Sequence, residues 1–322
     1  MKYLVTGGAG FIGSNIAHEL IKRGEQVRII DNFSTGLKSN IIDIWDSIEL
    51  IDGDIRDFWT MRDATEGVDY VLHQAALPSV PRSISNPLTS NSVNIDGTLN
   101  VLESSRQANV RRVVMASSSS VYGDTPVLPK HEEMKRNPLS PYAVTKMTNE
   151  EYARVYYELY GLETVCMRYF NIFGPRQDPN SQYSAVIPLF IMALNSGTSP
   201  TVFGNGEQSR DFTYIDNTVS ANLLALTAEA APGKAYNVAC GGQFTLNTLL
   251  DELRDILGVD TKAKYDPPRQ GDILHSFADI SKAENDLNYE VLVSFKDGLK
   301  KTVNWFLNKA SSETPSGGIQ IG

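Results

Sequence analysis

The first thirty-one residues restrict the fold more than any other stretch of the chain. Lys2 to Thr6 (KYLVT) is a short apolar run closed by glycines, an amphipathic stretch from Phe11 to Arg23 stops at Gly24, and QVRIID then runs to Asp31. An apolar run, a helical period and a second apolar run in that order describe a strand, a crossover helix and a parallel strand. The alternation continues through SIELIDGD, VDYVLHQAA, the helically spaced NIDGTLNVLESSRQA, and VRRVVMASS. Its strand-like segments read as apolar throughout, as expected where helices cover both faces of a parallel sheet. The pattern predicts an α/β fold built on a doubly wound parallel sheet.

After about Tyr169 the rhythm changes. Pro175, Pro179, Pro188 and Pro200, with Gly174, Gly197, Gly204 and Gly206, mark loops between shorter elements. We expect a first domain over residues 1–170, a smaller C-terminal α/β region over 171–310, and a return of the chain to the first domain around 212–240. Helical spacing from Asp216 to Glu229 carries that return. The closing run ASSETPSGGIQIG has no periodicity, so 311–322 are expected as a flexible tail.

A hydrophobic content of 41% supplies a core, and a net charge of −9 opposes binding to nucleic acid or an anionic membrane. No segment approaches the roughly 18 apolar residues that span a bilayer. The first strand begins at Lys2, which leaves no room for a signal peptide, and Cys166 and Cys240 each fall in a strand-like run (ETVCMRYF and YNVAC) as expected of buried free thiols. These features point to a cytoplasmic protein with no metal site and a small-molecule ligand.

Gly7, Gly10 and Gly13 in GGAGFIG fall between the first strand and its helix, where a backbone without Cβ turns tightly and approaches a pyrophosphate at the helix N-terminus. Asp31 closes the second strand 18 residues after Gly13, where a carboxylate accepts hydrogen bonds from adenosine ribose hydroxyls. The same carboxylate repels a 2′-phosphate and Asn32 follows it rather than arginine, so NAD is predicted over NADP. Asp54 and Ile55 are placed to meet the adenine, and Gln74 and Ala75 follow a strand toward the sheet's carboxyl edge; ordinary strand ends explain these four equally well.

Tyr142 and Lys146 in SPYAVTK share a helix face, with Ser140 as N-cap, Pro141 in the first turn and Gly161 as the stop. A nearby ammonium and a positive nicotinamide ring both favour the phenolate over the phenol. An exposed helix face with the same spacing is the plain alternative. Against it stands the run Ser117 to Ser120, which follows an apolar strand and delivers hydroxyls to the ligand edge of the sheet.

GGAGFIG, Asp31, a serine cluster before VYG, YAVTK and RYFNIFGPRQDP together resemble the extended short-chain dehydrogenase/reductases that act on nucleotide sugars, over roughly residues 1 to 305. LHQAALPSVPRSISNP, NIDGTLN, SRDFTYIDNTVSANLLAL and RQGDILHSFADISKA are similar to the bacterial UDP-N-acetylglucosamine 4-epimerases. The resemblance implies a Rossmann-type sheet, NAD as cofactor, a UDP-sugar as substrate and a homodimer paired through the stretches Asn94 to Ala108 and Asn149 to Leu159. It makes Tyr142 the base for the 4-hydroxyl, Lys146 the partner of the nicotinamide ribose, and Ser118 the donor to the 4-oxygen, with Ser119 and Ser120 in support. It implies cofactor contacts from Gly7, Gly10, Phe11, Ile12, Gly13, Asp31, Asn32, Asp54, Ile55, Gln74, Ala75, Asn94, Tyr142, Lys146 and Tyr169. It implies substrate contacts from Ser118, Asn171, Ala185, Val186, Arg210, Arg269 and Asp272, with the two arginines as fixed cations for a diphosphate. Ser79, Arg82 and Ser83 in PSVPRS are further candidates near the sugar, and a loop held rigid by Pro78 and Pro81 explains the segment nearly as well.

Related sugar-nucleotide dehydratases carry an Asp-Glu pair where this chain has Ser119 and Ser120, so the resemblance points to epimerisation rather than elimination. Epimerases restricted to UDP-glucose and UDP-galactose carry a tyrosine at the position of Ser276, and the small serine leaves room for an N-acetyl group. The expected reaction is UDP-GlcNAc/UDP-GalNAc interconversion through a 4-keto sugar, with UDP-glucose and UDP-galactose as further substrates. A UDP-glucuronate 4-epimerase and, in another class, a non-catalytic NAD-binding sensor are the alternatives.

Overall fold

A computed structural model describes residues 1–179, 185–268 and 274–313. Its first part runs β1 (Lys2–Thr6), α1 (Phe11–Lys22), β2 (Gln26–Asp31), β3 (Ile48–Asp52), α2 (Phe58–Thr65), β4 (Tyr70–His73), α3 (Val80–Ser85), α4 (Pro87–Asn91), α5 (Gly97–Gln107), β5 (Arg112–Ser118), α6 (Pro141–Tyr160) and β6 (Glu163–Tyr169). The second continues through β7 (Ile172–Phe173), α7 (Val186–Asn195), β8 (Thr201–Phe203), β9 (Ser209–Arg210), β10 (Thr213–Tyr214), α8 (Ile215–Ala225), β11 (Lys234–Val238), β12 (Phe244–Thr245), α9 (Leu246–Leu257), β13 (Lys264–Asp266), β14 (His275–Ser276), α10 (Ser281–Leu287) and α11 (Phe295–Glu313).

Seven strands form one sheet in the order β11-β6-β5-β4-β1-β2-β3, every pair parallel. The chain winds outward from β1 on one side and from β4 on the other, the Rossmann order, which opens a crevice between the carboxyl ends of β1 and β4. Alternate residues face two separate cores: Val5, Leu72 and Val114 enter the one shared with α1 and α8, and Leu4, Val71 and Val113 the one shared with α2 and α5. α8 packs on α1 and leads into β11, which extends the sheet beside β6. The short strands β7 to β10 and β12 to β14 pair among themselves outside the large sheet.

The strands are less uniformly apolar than the sequence suggests, because three buried arginines sit in them. Arg28 in β2 donates to the carbonyls of Ala64 (2.7 Å) and Glu66 (2.9 Å) at the end of α2 and pairs with Glu49 (2.8 Å). Arg112 in β5 does the same at the end of α8, on Ala225 (2.7 Å) and Ala228 (2.8 Å). Each guanidinium donates to carbonyls at or just past a helix C-terminus, where the backbone ladder leaves acceptors open. The third, Arg168 in β6, belongs to the site described below.

Other boundaries also shift. A single π turn, Ser92–Asp96, precedes α5, so the helical stretch expected from Asn94 begins as a wider coil. α11 continues to Glu313, into the run expected as a tail, since nothing before Pro315 in the sequence breaks a helical ladder. Cys166 and Cys240 are free thiols, but Cys240 lies just beyond β11 and is only partly buried. Among the described residues no helix is long and apolar enough to cross a membrane.

Candidate active site

A cleft of about 560 Å³ opens at the carboxyl ends of β1 and β4. Its floor is the glycine loop. Gly7 has φ +67°, and a Cβ there would lie 2.7 Å from the Ala75 nitrogen; a Cβ on Gly13 would lie 2.2 Å from the Gly7 oxygen. The loop therefore packs backbone to backbone on the end of β4. Gly10 begins α1 with no side-chain cap, so no side chain competes for the first-turn amides, an arrangement that fits a phosphate. Asp31 is buried, its carboxylate accepting from the Ala9 amide (2.9 Å) and the Phe33 amide (2.8 Å), and burial pushes it above the usual carboxylate range. Asn32 donates to Asp54 (2.9 Å), whose carboxyl Arg56 holds down at about 2. These residues fit a dinucleotide: bare amides for its diphosphate and a fixed carboxylate for a ribose diol.

Tyr142 and Lys146 enter from α6, which begins and ends as its sequence implies. The Ser140 hydroxyl accepts from the Ala143 amide and Gly161 closes the helix at φ +71°. The Ser83 hydroxyl accepts from the Tyr142 amide (3.0 Å), which ties α3 to the start of α6. Lys146 is buried, donates from Nζ to the Ala116 carbonyl (2.8 Å), and lies 5.9 Å from the Tyr142 ring centroid. Burial lowers its pKa to about 8, opposed by Cys166 and Glu150. Burial raises Tyr142, opposed by its hydrogen bond with Ser118. Both groups are thus pushed toward their neutral forms.

The serine run divides between two jobs. Ser118 meets the phenol and also caps the turn Ser119–Tyr122 by accepting from the Ser120 amide (3.2 Å). Ser117 points the other way and donates to Glu150 (2.5 Å). Glu150 is buried one turn beyond Lys146 and accepts from Arg168 Nη2 (2.7 Å) and Nε (2.9 Å) and from Arg136 (3.3 Å). The Ser120 hydroxyl is buried without a hydrogen-bond partner among the described residues.

Behind the cleft runs a buried chain of hydrogen bonds. Thr98 donates to the Asn94 carbonyl (2.6 Å), so it accepts from His73 Nε2 (2.9 Å), and His73 Nδ1 accepts from Thr6 (2.7 Å), which in turn accepts from the Ala75 amide (3.2 Å). Burial pushes His73 down to about 3, which keeps it neutral. Asn94, also expected at the cofactor, is fully buried, accepts from the Leu77 amide (2.8 Å) and donates to the Leu77 carbonyl (3.2 Å), so it fixes the loop that carries Gln74 and Ala75. The other residues expected around the cofactor, namely Gly7, Gly10, Phe11, Ile12, Gly13, Asp31, Asn32, Asp54, Ile55, Gln74, Ala75, Tyr142, Lys146 and Tyr169, all line the cleft.

A second cavity of about 540 Å³ adjoins the first at Ala185 and brings together Asn171, Ala185, Val186 and Arg210 with Phe190, Phe203 and Phe212. Ser276 is buried in β14, in register with Arg210 of β9. Asp211 beside them is fully buried and accepts from the Cys240 (2.9 Å) and Ala278 (3.3 Å) amides, and burial lifts it to about 6. Arg82 lines the first cleft. The Ser79 hydroxyl, expected near the sugar, caps α3 by accepting from the Arg82 amide (3.3 Å). Arg269 and Asp272 lie outside the described residues.

Residues 3–239 match the NAD dependent epimerase/dehydratase family. The chain belongs to that family. It is 36% identical to the UDP-glucose 4-epimerase of Mycolicibacterium smegmatis over 314 residues, 96% of this chain and 100% of the relative. Its fold superposes on the UDP-N-acetylglucosamine 4-epimerase of Methanobrevibacter ruminantium, solved with UDP-N-acetylmuramic acid, at TM-score 0.92 and 41% identity, covering 96% of this chain and 98% of that one. The UDP-glucose 4-epimerase of Thermotoga maritima, solved with UDP-glucose, gives TM-score 0.92 at 36% identity over 96% and 100%. NAD is the cofactor of this family.

In this epimerase/dehydratase the supporting residues were the ones its sequence hid. Thr6, His73, Thr98 and Asp211 lie in runs that were read for other reasons, Ser83 was read as a candidate near the sugar, and only Glu150, four residues past Lys146 on the same helix face, carries a spacing that could have been noticed. Burial of Lys146 has a measurable consequence. With a folded pKa of about 8 against 10.5 unfolded, the cost of the buried ammonium is fully present below pH 8 and is relieved as pH rises from 8 to 10.5. Lys146→Met should stabilise the cofactor-free protein in urea at pH 7 by up to about 3 kcal/mol, a gain that shrinks toward pH 10. No gain at pH 7 would contradict this reading of the site.

Proposed function

We propose that the protein catalyses NAD-dependent 4-epimerisation of a UDP-hexose, with UDP-GlcNAc and UDP-GalNAc as the pair it interconverts. The observation that carries the reaction type is the company Tyr142 keeps. The phenol meets the Ser118 hydroxyl with Lys146 behind it, and the described carboxylates lining the cleft are Asp31, Asp54 and Asp178. Asp31 ends β2, Asp54 follows β3 and Asp178 follows β7, each on an element other than the one that carries Tyr142, and Glu150 is held by Arg168 and Arg136. An elimination needs an acid for the departing water and a base for a carbon-bound proton, and Ser119 and Ser120 supply neither.

In this reading Tyr142 takes the proton of the 4-hydroxyl, Ser118 holds the 4-oxygen, and Lys146 orients the nicotinamide ribose and favours the phenolate. NAD, when bound, accepts the C4 hydride and gives it back. Burial favours a neutral phenol, so positive charge beside it is what makes Tyr142 a base. The 4-keto sugar, turned over in the pocket, takes the hydride on its other face and the proton back from Tyr142.

Two features support the acetylated sugar: the small, buried Ser276 beside Arg210, and the likeness to a relative that acts on UDP-N-acetylglucosamine. Incubation with UDP-GlcNAc should yield UDP-GalNAc, resolved by chromatography of the nucleotide sugars. Conversion of only UDP-glucose or UDP-glucuronate would overturn the sugar, and conversion of none of the three would overturn the reaction. Ser276→Tyr should lower kcat/KM for the acetylated pair by about tenfold or more while largely sparing UDP-glucose. Equal losses on both sugars would remove Ser276 as the gate.

A further inference from the structure

The described residues that line the cofactor cleft include three cations, Arg82, Lys146 and Arg176. Lys146 stands by the phenol and Arg82 on α3. Arg176, in the segment that leaves β7, has no part in the reaction proposed above.

Its backbone is unusual. Arg176 has φ +70°, a left-handed conformation that a residue with a Cβ keeps only where its surroundings over-determine it. They do so here through two asparagines. Arg176 Nη1 donates to Asn15 Oδ1 (2.9 Å), and Asn15 Nδ2 donates back to the Pro175 carbonyl (3.1 Å). Asn40 Nδ2 donates to the Arg176 carbonyl (3.4 Å) and to the Ala9 carbonyl of the glycine loop (3.0 Å). The Pro175–Arg176 backbone is thereby stitched to α1 and to the loop before it, across the mouth of the cleft from β7.

The charge is placed with the same economy. Asn15 belongs to the second turn of α1, directly after the first turn, whose amides no side chain caps. The guanidinium is four-fifths buried, and the carboxylate facing it, Asp43, is 3.8 Å away and largely exposed, so much of its field is left to act within the cleft. A planar, permanently charged group beside bare helix amides suits a diphosphate better than any other part of a dinucleotide.

We propose that Arg176 is the fixed cation for the diphosphate of the bound dinucleotide, and that the Pro175–Arg176 segment it anchors straps that cofactor into the cleft. A reaction that stores a hydride on its cofactor and takes it back cannot release that cofactor between the two transfers, and a strap of this kind slows release. The proposal rests on the NAD dependence of the family and is independent of which sugar is turned over.

Release of NAD from the purified protein tests it, followed by trapping freed NAD with an excess of an NAD-consuming enzyme. Arg176→Met should release NAD about tenfold faster or more, Arg176→Lys should recover part of the loss, and Asn15→Ala, which keeps the charge and loosens the strap, should fall between wild type and Arg176→Met. Release from the wild type should also accelerate with salt, and that dependence should flatten in Arg176→Met. Unchanged release in both Arg176→Met and Asn15→Ala would overturn the proposal. Should Arg176→Met fail to fold, Asn15→Ala and the wild-type salt series decide: a flat salt series with unchanged Asn15→Ala release overturns it as well.

Discussion

The backbone of Gly7 lies against that of Ala75, and the geometry of the cleft hangs on that contact. The two residues end the strands from which the sheet winds in opposite directions, so the crevice exists because of the strand order and has its depth because no Cβ separates the loop from β4. The same contact is held from below. The Ala75 amide donates to Thr6, Thr6 to His73, His73 to Thr98, and Thr98 to the carbonyl of Asn94, whose side chain grips Leu77. Asn149 of α6 donates to Asn94 and Thr98 (2.9 and 3.1 Å), so the helix that carries Tyr142 and Lys146 is indexed to the loop that cradles the cofactor. Buried polar chains of this kind tolerate little displacement, because a broken link leaves a dry donor or acceptor behind.

The electrostatics follow from the same burial. Desolvation holds Tyr142 as a phenol and brings Lys146 down to about 8, while Glu150, one turn along, opposes the loss of the lysine charge and is itself neutralised by Arg168. A carboxylate lies near the reacting pair, yet it is locked in an ion pair whose partners are each about 5% exposed, and Ser117 takes one more of its lone pairs. The site therefore holds a base that charge can switch on, and among the described residues its hydrogen-bond partner is a serine hydroxyl and not a carboxyl group. Chemistry confined to moving one hydride and one proton is what such a constellation supports.

How much of this could be read from the chain depended on the range of the interaction. Strand and helix alternation, the glycine loop, Asp31, the Ser140 cap and the Gly161 stop are local, and each is legible because its residue type has one common reason to be there. Arg28 and Arg112 were illegible: a charged residue in an apolar run looks like an exception until the helix end it caps, dozens of residues away, is in view. The support that Asn94 gives was illegible for the same reason, since only the π turn and the Leu77 backbone show what its amide holds. The serine run was legible as a cluster but not as a division of labour, because the partner of Ser117, Glu150 of α6, lies 33 residues along the chain. Arg176 sat in plain sight in GPRQDP, and its backbone conformation, which no composition reveals, is what marks it.

Hydride return within one closed site is the central claim, and isotope retention tests it most directly. UDP-GlcNAc carrying deuterium at C4 of the sugar should give UDP-GalNAc with the label still at C4, and the same reaction run in deuterated water should place no deuterium on any carbon of the product. Loss of the C4 label, or solvent deuterium at C5, would contradict it.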